Sequence, residues 1–584
     1  MTGLRTEPNG GLVVRTPAYV IAVSADGLRA TLTTAEGAHL ATLRPLVACD
    51  RLDARDETLS VEPPRLDDEG TIEVGRRSTI WDHATTTIVC DDEGVELRSS
   101  VTGSGALGEV RLLAGRSLLP GRTGMLPSGS SFRTVFSPGP ADPCRVLRAA
   151  SESVVIGAAG DSQPGRGHWF FTPAPLYLAL CPADGLDDPS DPHAEVWVGV
   201  GVAASVDELG FVQLVYEGGD RAFALRLDYE GHTRVAGTYD LPTVLVTPGT
   251  TDPYGGLRRH REQLAARGAA PRIATRPTAD WWHEPIFCGW GAQRSLAAQD
   301  GGSPADHATQ ASYDAFLGHL EERGVVPGTI VIDDKWQGAY GTCEPDPAKW
   351  PDLRGWVAAR HSRGQRVLLW WRAWSGEGIP GELCVRRPDG EGVGLDPDNP
   401  STRALLEDAV CRMLGPDGLD ADGLKIDFTA STPSGVSLEH HGPRWGIALL
   451  HELLATVYGA AKRVKPDALV ITHAPHPAFV DVADMIRLND MLRLDDLGPR
   501  PPVLAQMRYR AAVVRAACPE LLVDTDDWCV PDLETWRAYL REKTDLGVPA
   551  LYYVGHLDAT GETLTDEDYA ALAESWAAYR AGRR

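Results

Sequence analysis

Four short apolar runs decide the fold: TIVIDDKW at 329–336, RVLLWWRAW at 366–374, GLKIDF at 423–428 and ALVITHAP at 468–475. Each is a run of branched and aromatic residues that ends in charged or polar ones, as strands covered on both faces do. The segments between them, LRGWVAARHSRG, TRALLEDAVCRMLG and WGIALLHELLATVYGAAKRV, have helical periodicity. The same alternation extends outward. EPIFCGWG (284–291) comes first, with SYDAFLGHLEERG following it as a helix. DMIRLND (484–490), ELLVDTDDW (520–528) and ALYYVGH (550–556) come after. Eight strand–helix units in about 300 residues predict an α/β fold, a (β/α)8 TIM barrel, over 281–584. An open doubly wound sheet would need a glycine-rich phosphate turn after its first strand, and the sequence has none there.

Upstream the pattern changes. YVIAVS, TTTIVC, EVWVGVGVA, FVQLVYE and RAFALRLDY are short, partly alternating runs between Gly, Pro and Asp turns. They predict a large N-terminal antiparallel β-sandwich over 1–253. YGGLRRHREQLAARG reads as a helix closed by Gly268, and with the Pro- and Arg-rich APRIATRPTAD it makes a linker over 254–280.

The chain has 584 residues and a net charge of −25. That charge repels phosphate backbones and anionic lipid, so neither nucleic acid nor a membrane surface is an expected partner. No run approaches the roughly 20 apolar residues of a membrane span, and MTGLRTEPNGGLVV lacks the apolar core of a secretory signal. The 10 cysteines form no CxxC pair. They suggest neither a zinc site nor a disulfide framework, and a cytoplasmic location is expected. No metal and no cofactor is expected.

In a barrel of this kind the reactive groups gather at the C-terminal ends of the strands. Those ends read Asp333-Asp334-Lys335-Trp336, Trp370-Trp371-Arg372, Lys425-Ile426-Asp427, His473, Arg487-Leu488-Asn489-Asp490 and Asp524-Thr525-Asp526-Asp527. Carboxylates accept hydrogen bonds from hydroxyls and indoles cover apolar ring faces, so the mixture suits a neutral sugar. Glycoside cleavage needs two carboxyls flanking one bond, and Asp427 and Asp490 are the best pair.

These segments resemble glycoside hydrolase clan D, most closely the α-galactosidases of family 36, and also family 27. VIDDKWQ is similar to that group's strand-two IDDGWQ, GLKIDF to its K-x-D strand four, and RLND to its acidic strand-six end. PAKWPDLRGWVAARHSRGQRVLLWW resembles the stretch that joins strands two and three. The resemblance implies a retaining α-glycosidase of the α-galactosidase kind. Asp427 would be nucleophile and Asp490 acid/base. Lys425 would contact ring hydroxyls and favour ionised Asp427. Asp333 and Asp334 would bind the 4- and 6-hydroxyls, Arg487 hydroxyls near the anomeric side, and Trp290, Trp336 and Trp371 would shape the pocket. Arg372 joins the substrate-binding set as a strand-end cation. The sequence departs from the family at strand five, where THAPHP replaces a Cys- and Gly-rich segment, so His473 is expected to be a different selector.

Blander readings stand beside these. A strand-end Asp can cap the next helix, and Asp495 and Asp496 lie near Asp490. His473 and His476 have weak spacing for a metal. Of Asp524, Asp526 and Asp527, Asp527 is expected to face the pocket. Trp370 reads as core. The expected partner is an oligosaccharide or α-glycoside, and homo-oligomerisation is compatible with the chain. A transglycosylase, a non-catalytic glycan-binding barrel and a metal-dependent hydrolase are the competing functions.

Overall fold

The computed structural model describes residues 3–67, 71–129, 132, 134–139, 144–146, 152–158, 171–181, 196–219, 222–272, 276–491 and 502–582. In its second half eight strands pair in parallel and in chain order. They are β1 (Ile286–Cys288), β2 (Thr329–Ile332), β3 (Arg366–Arg372), β4 (Gly423–Asp427), β5 (Leu469–Thr472), β6 (Met485–Arg487), β7 (Leu522–Asp524) and β8 (Ala550–Leu551). β8 pairs back onto β1, and a bridge between Asp524 and Val548 links the β7 and β8 segments, so the parallel barrel is nearly closed. All eight expected strands are present, each shorter than its apolar run because the last residues of most runs turn into the loops. A hairpin, Cys384–Arg386 with Gly392–Leu395, was not legible in the sequence.

The helices follow from the caps and stripes of the sequence. Thr309 caps Gln310–Glu322, Asp352 caps Leu353–His361, and Asn399 with Pro400 opens Pro400–Leu414. Helix α1 is Pro253–Ala266 and helix α2 is Gly446–Val464, the latter with a side of buried Leu, Ile, Val and Ala. None of the described helices is long and apolar enough to cross a membrane.

The first half contains 22 strands among the described residues, from Gly3–Thr6 to Thr243–Thr250, nearly all antiparallel. One long strand, Val95–Leu112, serves two sheets. Its first part pairs with His83–Cys90 and Arg234–Asp240, its last with Val47–Arg51 and Ala222–Asp228. The change of partner passes through Gly105, at φ 156, where a Cβ would lie 2.2 Å from Arg51 Cδ. Residues with a Cβ rarely adopt this backbone conformation, which favours glycine, and one here would also displace the Arg51 side chain.

The two halves are joined at the loop after β4. The first turn of α2 has no side-chain cap. Its Ile447 and Ala448 N–H groups instead donate to the Phe211 and Leu209 carbonyls, at 3.0 and 2.9 Å, across from the first half. Glu230 accepts from Ser434 Oγ at 2.8 Å, Gly435 N at 2.7 Å and Trp445 Nε1 at 3.2 Å. The loop that follows Asp427 therefore has part of its polar backbone satisfied by residues more than 200 positions upstream.

Candidate active site

The register of β3 and β4 sets Arg372 directly beside Asp427 at the C-terminal rim, and that of β6 and β7 sets Arg487 beside Asp524. Alternation then decides which neighbours share the barrel mouth. Trp370 and Arg372 lie on one side of β3, and Trp370 Nε1 donates to Asp427 Oδ2 at 3.1 Å. Trp371, on the other side, is buried. Trp336 is also fully buried, and its Nε1 donates to the Trp370 carbonyl at 2.8 Å. Trp336 and Trp371 are thus packed beneath and behind the mouth, and Trp370 is the indole that touches the carboxylate.

Arg487 organises the mouth. Its Nη2 donates to Asp427 Oδ1 at 2.9 Å, and its Nη1 donates to Asp490 Oδ1 at 3.0 Å and to Asp526 Oδ2 at 2.9 Å. One guanidinium so holds the two carboxyls that the sequence paired, plus a third. The Arg487 side chain is 3% exposed, but those of Asp427 and Asp490 are 23% and 43% exposed, so both carboxyls remain reachable from the mouth.

The two carboxyls differ in proton affinity. Burial opposes ionisation of Asp427, but Arg487, Lys425 and the Phe428 N–H, which donates to Oδ1 at 2.9 Å, overcome it and hold the carboxyl well below the usual range. At Asp490 desolvation wins. A water can touch the side chain, yet surrounding protein excludes bulk solvent, and with the charges of Asp526 and Asp427 it pushes the carboxyl up to about 7 against Arg487. The backbone at Asp490 is fixed from behind. Buried Arg510 donates through Nη1 to the Leu488, Asn489 and Asp490 carbonyls at 2.9, 3.0 and 2.8 Å. Asp495 and Asp496 lie outside the described residues.

Lys425 does not open into the mouth. Its Nζ donates to Asp333 Oδ2 at 2.7 Å and lies 3.3 Å from Cys288 Sγ. Asp333 also accepts from Cys288 at 3.0 Å and from the Asp334 N–H at 2.9 Å, and its side chain is 3% exposed. Asp333 and Lys425 form a buried pair under the floor, and Asp334 is the member of the acidic pair that reaches the rim. The Tyr340 hydroxyl donates to Asp334 Oδ1 at 2.7 Å. Burial, aided by Asp333 and Asp427 and resisted by Tyr340 and Arg372, raises this carboxyl to about 6. Arg372 stacks over Phe428 at 4.4 Å and over Tyr340 at 4.9 Å. Phe428 has a left-handed φ of 59° and is 40% exposed. A bulky residue in that conformation is strained and points its ring over the rim.

The strand-seven end differs from expectation. Asp527 is turned away: it pairs with Lys543 at 2.6 Å and accepts from Trp536 Nε1 at 3.2 Å. Asp526, at a left-handed φ of 53°, is the residue that faces Arg487. The turn after Asp524 breaks strand alternation, so a one-residue shift was invisible in the sequence. His473 is buried behind Asp427, with Nδ1 3.4 Å from Arg487 Nη2. His476 instead caps the short helix Pro477–Phe479, accepting from the Ala478 N–H at 3.1 Å. Trp290 lies edge-on to Trp528 at 5.9 Å, with Arg294 over both rings. Tyr340, Phe428, Asp526 and Arg510 were missed from sequence. Trp370, expected to be core, also belongs to the site; its position two residues before Arg372 puts both on one side of β3, a signal the sequence did carry.

The chain matches no family model and no curated protein. It is similar to solved structures. An α-galactosidase from Thermus thermophilus, in complex with p-nitrophenyl α-D-galactopyranoside, matches at 17% identity and TM-score 0.53 over 85% of this chain and 92% of that one. A family GH31 sulfoquinovosidase from E. rectale, in complex with an aza-sugar inhibitor, matches at 11% identity and TM-score 0.60 over 99% and 82%. A cycloalternan-degrading enzyme from Trueperella pyogenes matches at 13% identity and TM-score 0.52 over 96% and 83%. The chain shares its fold with these glycoside-processing enzymes.

Proposed function

We propose that the protein is a retaining α-glycoside hydrolase acting on α-galactoside-like substrates, with Asp427 as nucleophile and Asp490 as acid/base. The observation that carries this reading is Arg487, which holds both carboxyls while their surroundings move their proton affinities in opposite directions. Two carboxyls pushed apart in this way are suited to one ionised and one protonated role at the same pH. In the first step Asp427 attacks the anomeric carbon as Asp490 passes its proton to the leaving oxygen. In the second, Asp490 takes a proton from water, which displaces Asp427. Trp370 Nε1 and the Phe428 N–H fix the nucleophile from two sides. The resemblance of VIDDKW, GLKIDF and RLND to family 36 supports the same roles. It also supports the finer architecture, a sandwich over 1–253, a linker over 254–280 and a TIM barrel over 281–584.

For sugar choice the reading rests on Asp334. With Asp333 occupied by Lys425 and Cys288, Asp334 with Tyr340 remains to accept from a ring hydroxyl at the rim.

The test is a set of nitrophenyl α- and β-glycosides of galactose, glucose, N-acetylgalactosamine and L-arabinose. Faster cleavage of the α-galactoside, with first release of the α-anomer by proton NMR, is expected. First release of the β-anomer would overturn the retaining mechanism, and a clear preference for another sugar would overturn the specificity alone. Asp427→Ala should be inactive and should regain some turnover of an activated substrate with azide.

A further inference from the structure

Behind the nucleophile runs a chain of buried polar groups that the reaction as described does not use. His473 Nε2 lies 2.5 Å from Thr429 Oγ1, and Thr429 Oγ1 pairs with Thr172 Oγ1 from the first half of the chain. The Thr172 N–H also donates to the His473 carbonyl at 3.0 Å. On the other side of the ring, Nδ1 faces Arg487 Nη2 at 3.4 Å. All four side chains are buried.

A guanidinium has donors only. Nδ1 facing it must accept, so it carries no proton, and the proton of the neutral ring is on Nε2. Thr429 Oγ1 receives that proton in a hydrogen bond and its own hydroxyl turns to Thr172. The opposite tautomer sets two donors against each other away from water, a costly arrangement.

We infer that His473 is a positioning residue, fixed as the Nε2–H tautomer by the Arg487 donors at Nδ1 and by Thr429, which accepts from Nε2 and passes its own hydroxyl on to Thr172, and that its Nδ1 keeps Arg487 aimed at Asp427. Nη2 has two hydrogens. One goes to Asp427 Oδ1, and the second is fixed by the imidazole, so the amino group that holds the nucleophile has one orientation. The charged groups facing the ring are Arg487 on β6, Asp427 and Lys425 on β4, and Asp526 after β7. Burial and Arg487 bring the ring down to about 3, and it stays neutral through the working range. The kinetic consequence rests on the proposed roles of Asp427 and Asp490; the tautomer does not.

The test is therefore double. The full chain is labelled with 15N-histidine, and the His473 signals are assigned by difference from His473→Gln. The neutral Nε2–H pattern is expected, unchanged between about pH 5 and 8. Thr429→Val should alter it and Thr429→Ser should keep it. On whichever nitrophenyl glycoside is cleaved, Thr429→Val should lower kcat roughly tenfold with KM nearly unchanged, and Thr429→Ser should restore kcat. An Nδ1–H tautomer or an imidazolium in the wild type near neutral pH overturns the inference. So does a Thr429→Val protein with wild-type kcat. If no glycoside is cleaved, the proposed activity fails while the nitrogen signals still decide the relay.

Discussion

Arg487 works because arginine offers several donors in a rigid planar fork. Lysine would keep the charge and lose the span, so Arg487→Lys is expected to cut kcat/KM by roughly a hundredfold or more, the scale of losing one aimed donor. A pH profile is the sharper test. As the proposed acid, Asp490 would begin protonated and is held up to about 7, and Asp334, read as the ionised acceptor of a sugar hydroxyl, is held at about 6. Asp427 is ionised far below both. For the free enzyme kcat/KM should then form a narrow bell, falling as pH drops through about 6 and again as it rises through about 7. Asp334→Asn should remove the acid limb and leave the basic one; retention of both limbs would exclude Asp334 from the binding step. Phe428 belongs to the same scale. Its exposed ring lies under Arg372 next to Asp427, and in the proposed reaction it would meet the group beyond the scissile bond. Phe428→Ala should raise KM several-fold for aromatic glycosides, with a smaller effect on kcat.

The elements that carry these residues are short strands whose last residues form the proposed site. Lys425 and Asp427 share a side of β4, yet Lys425 ends beneath the floor in a buried pair with Asp333. Removing one partner of such a pair costs about 3–5 kcal/mol, and removing both charges costs much less. Lys425→Met should therefore destabilise strongly in thermal or denaturant unfolding, and the double variant Lys425→Met/Asp333→Asn should recover most of the loss. Additive losses would contradict a coupled pair. The same elements show where sequence reading succeeds. Eight apolar runs with polar ends located every barrel strand, because a strand buried on both faces tolerates little else. K-x-D and R-x-x-D pointed to Asp427, Arg487 and Asp490, which strand register brings together, whereas Lys425, expected to meet ring hydroxyls, is turned to Asp333. Reading failed where the backbone leaves the strand. Left-handed residues at Phe428, Asn489 and Asp526 re-aim the chain by amounts that no periodicity encodes, and Asp526 was exchanged for Asp527 on that account. Tyr340 and Arg510 reach the site from a loop and a helix, and only the packed fold brings them there.

At the scale of the whole molecule, the antiparallel half holds part of the rim. Its carbonyls at Leu209 and Phe211 complete the first turn of α2, its Thr172 meets Thr429, and its Glu230 accepts three hydrogen bonds from the loop that starts at Asp427. The rim and the β-rich half should then lose order together. Glu230→Ala leaves the Ser434 hydroxyl, the Gly435 N–H and the Trp445 indole N–H without that acceptor in a site where Glu230 is 8% exposed. At about 1–3 kcal/mol for each buried donor left unmade, tempered by water entering the gap, a loss of roughly 2–5 kcal/mol is expected in denaturant unfolding. Glu230→Gln keeps one acceptor oxygen and should lose less. Because the loop leads from Asp427, hydrogen exchange should rise in Glu230→Ala over the loop after β4 and also at Thr172, on the far side of the junction. Faster exchange confined to the loop, with Thr172 unchanged, would show that the two halves meet there without acting as one unit.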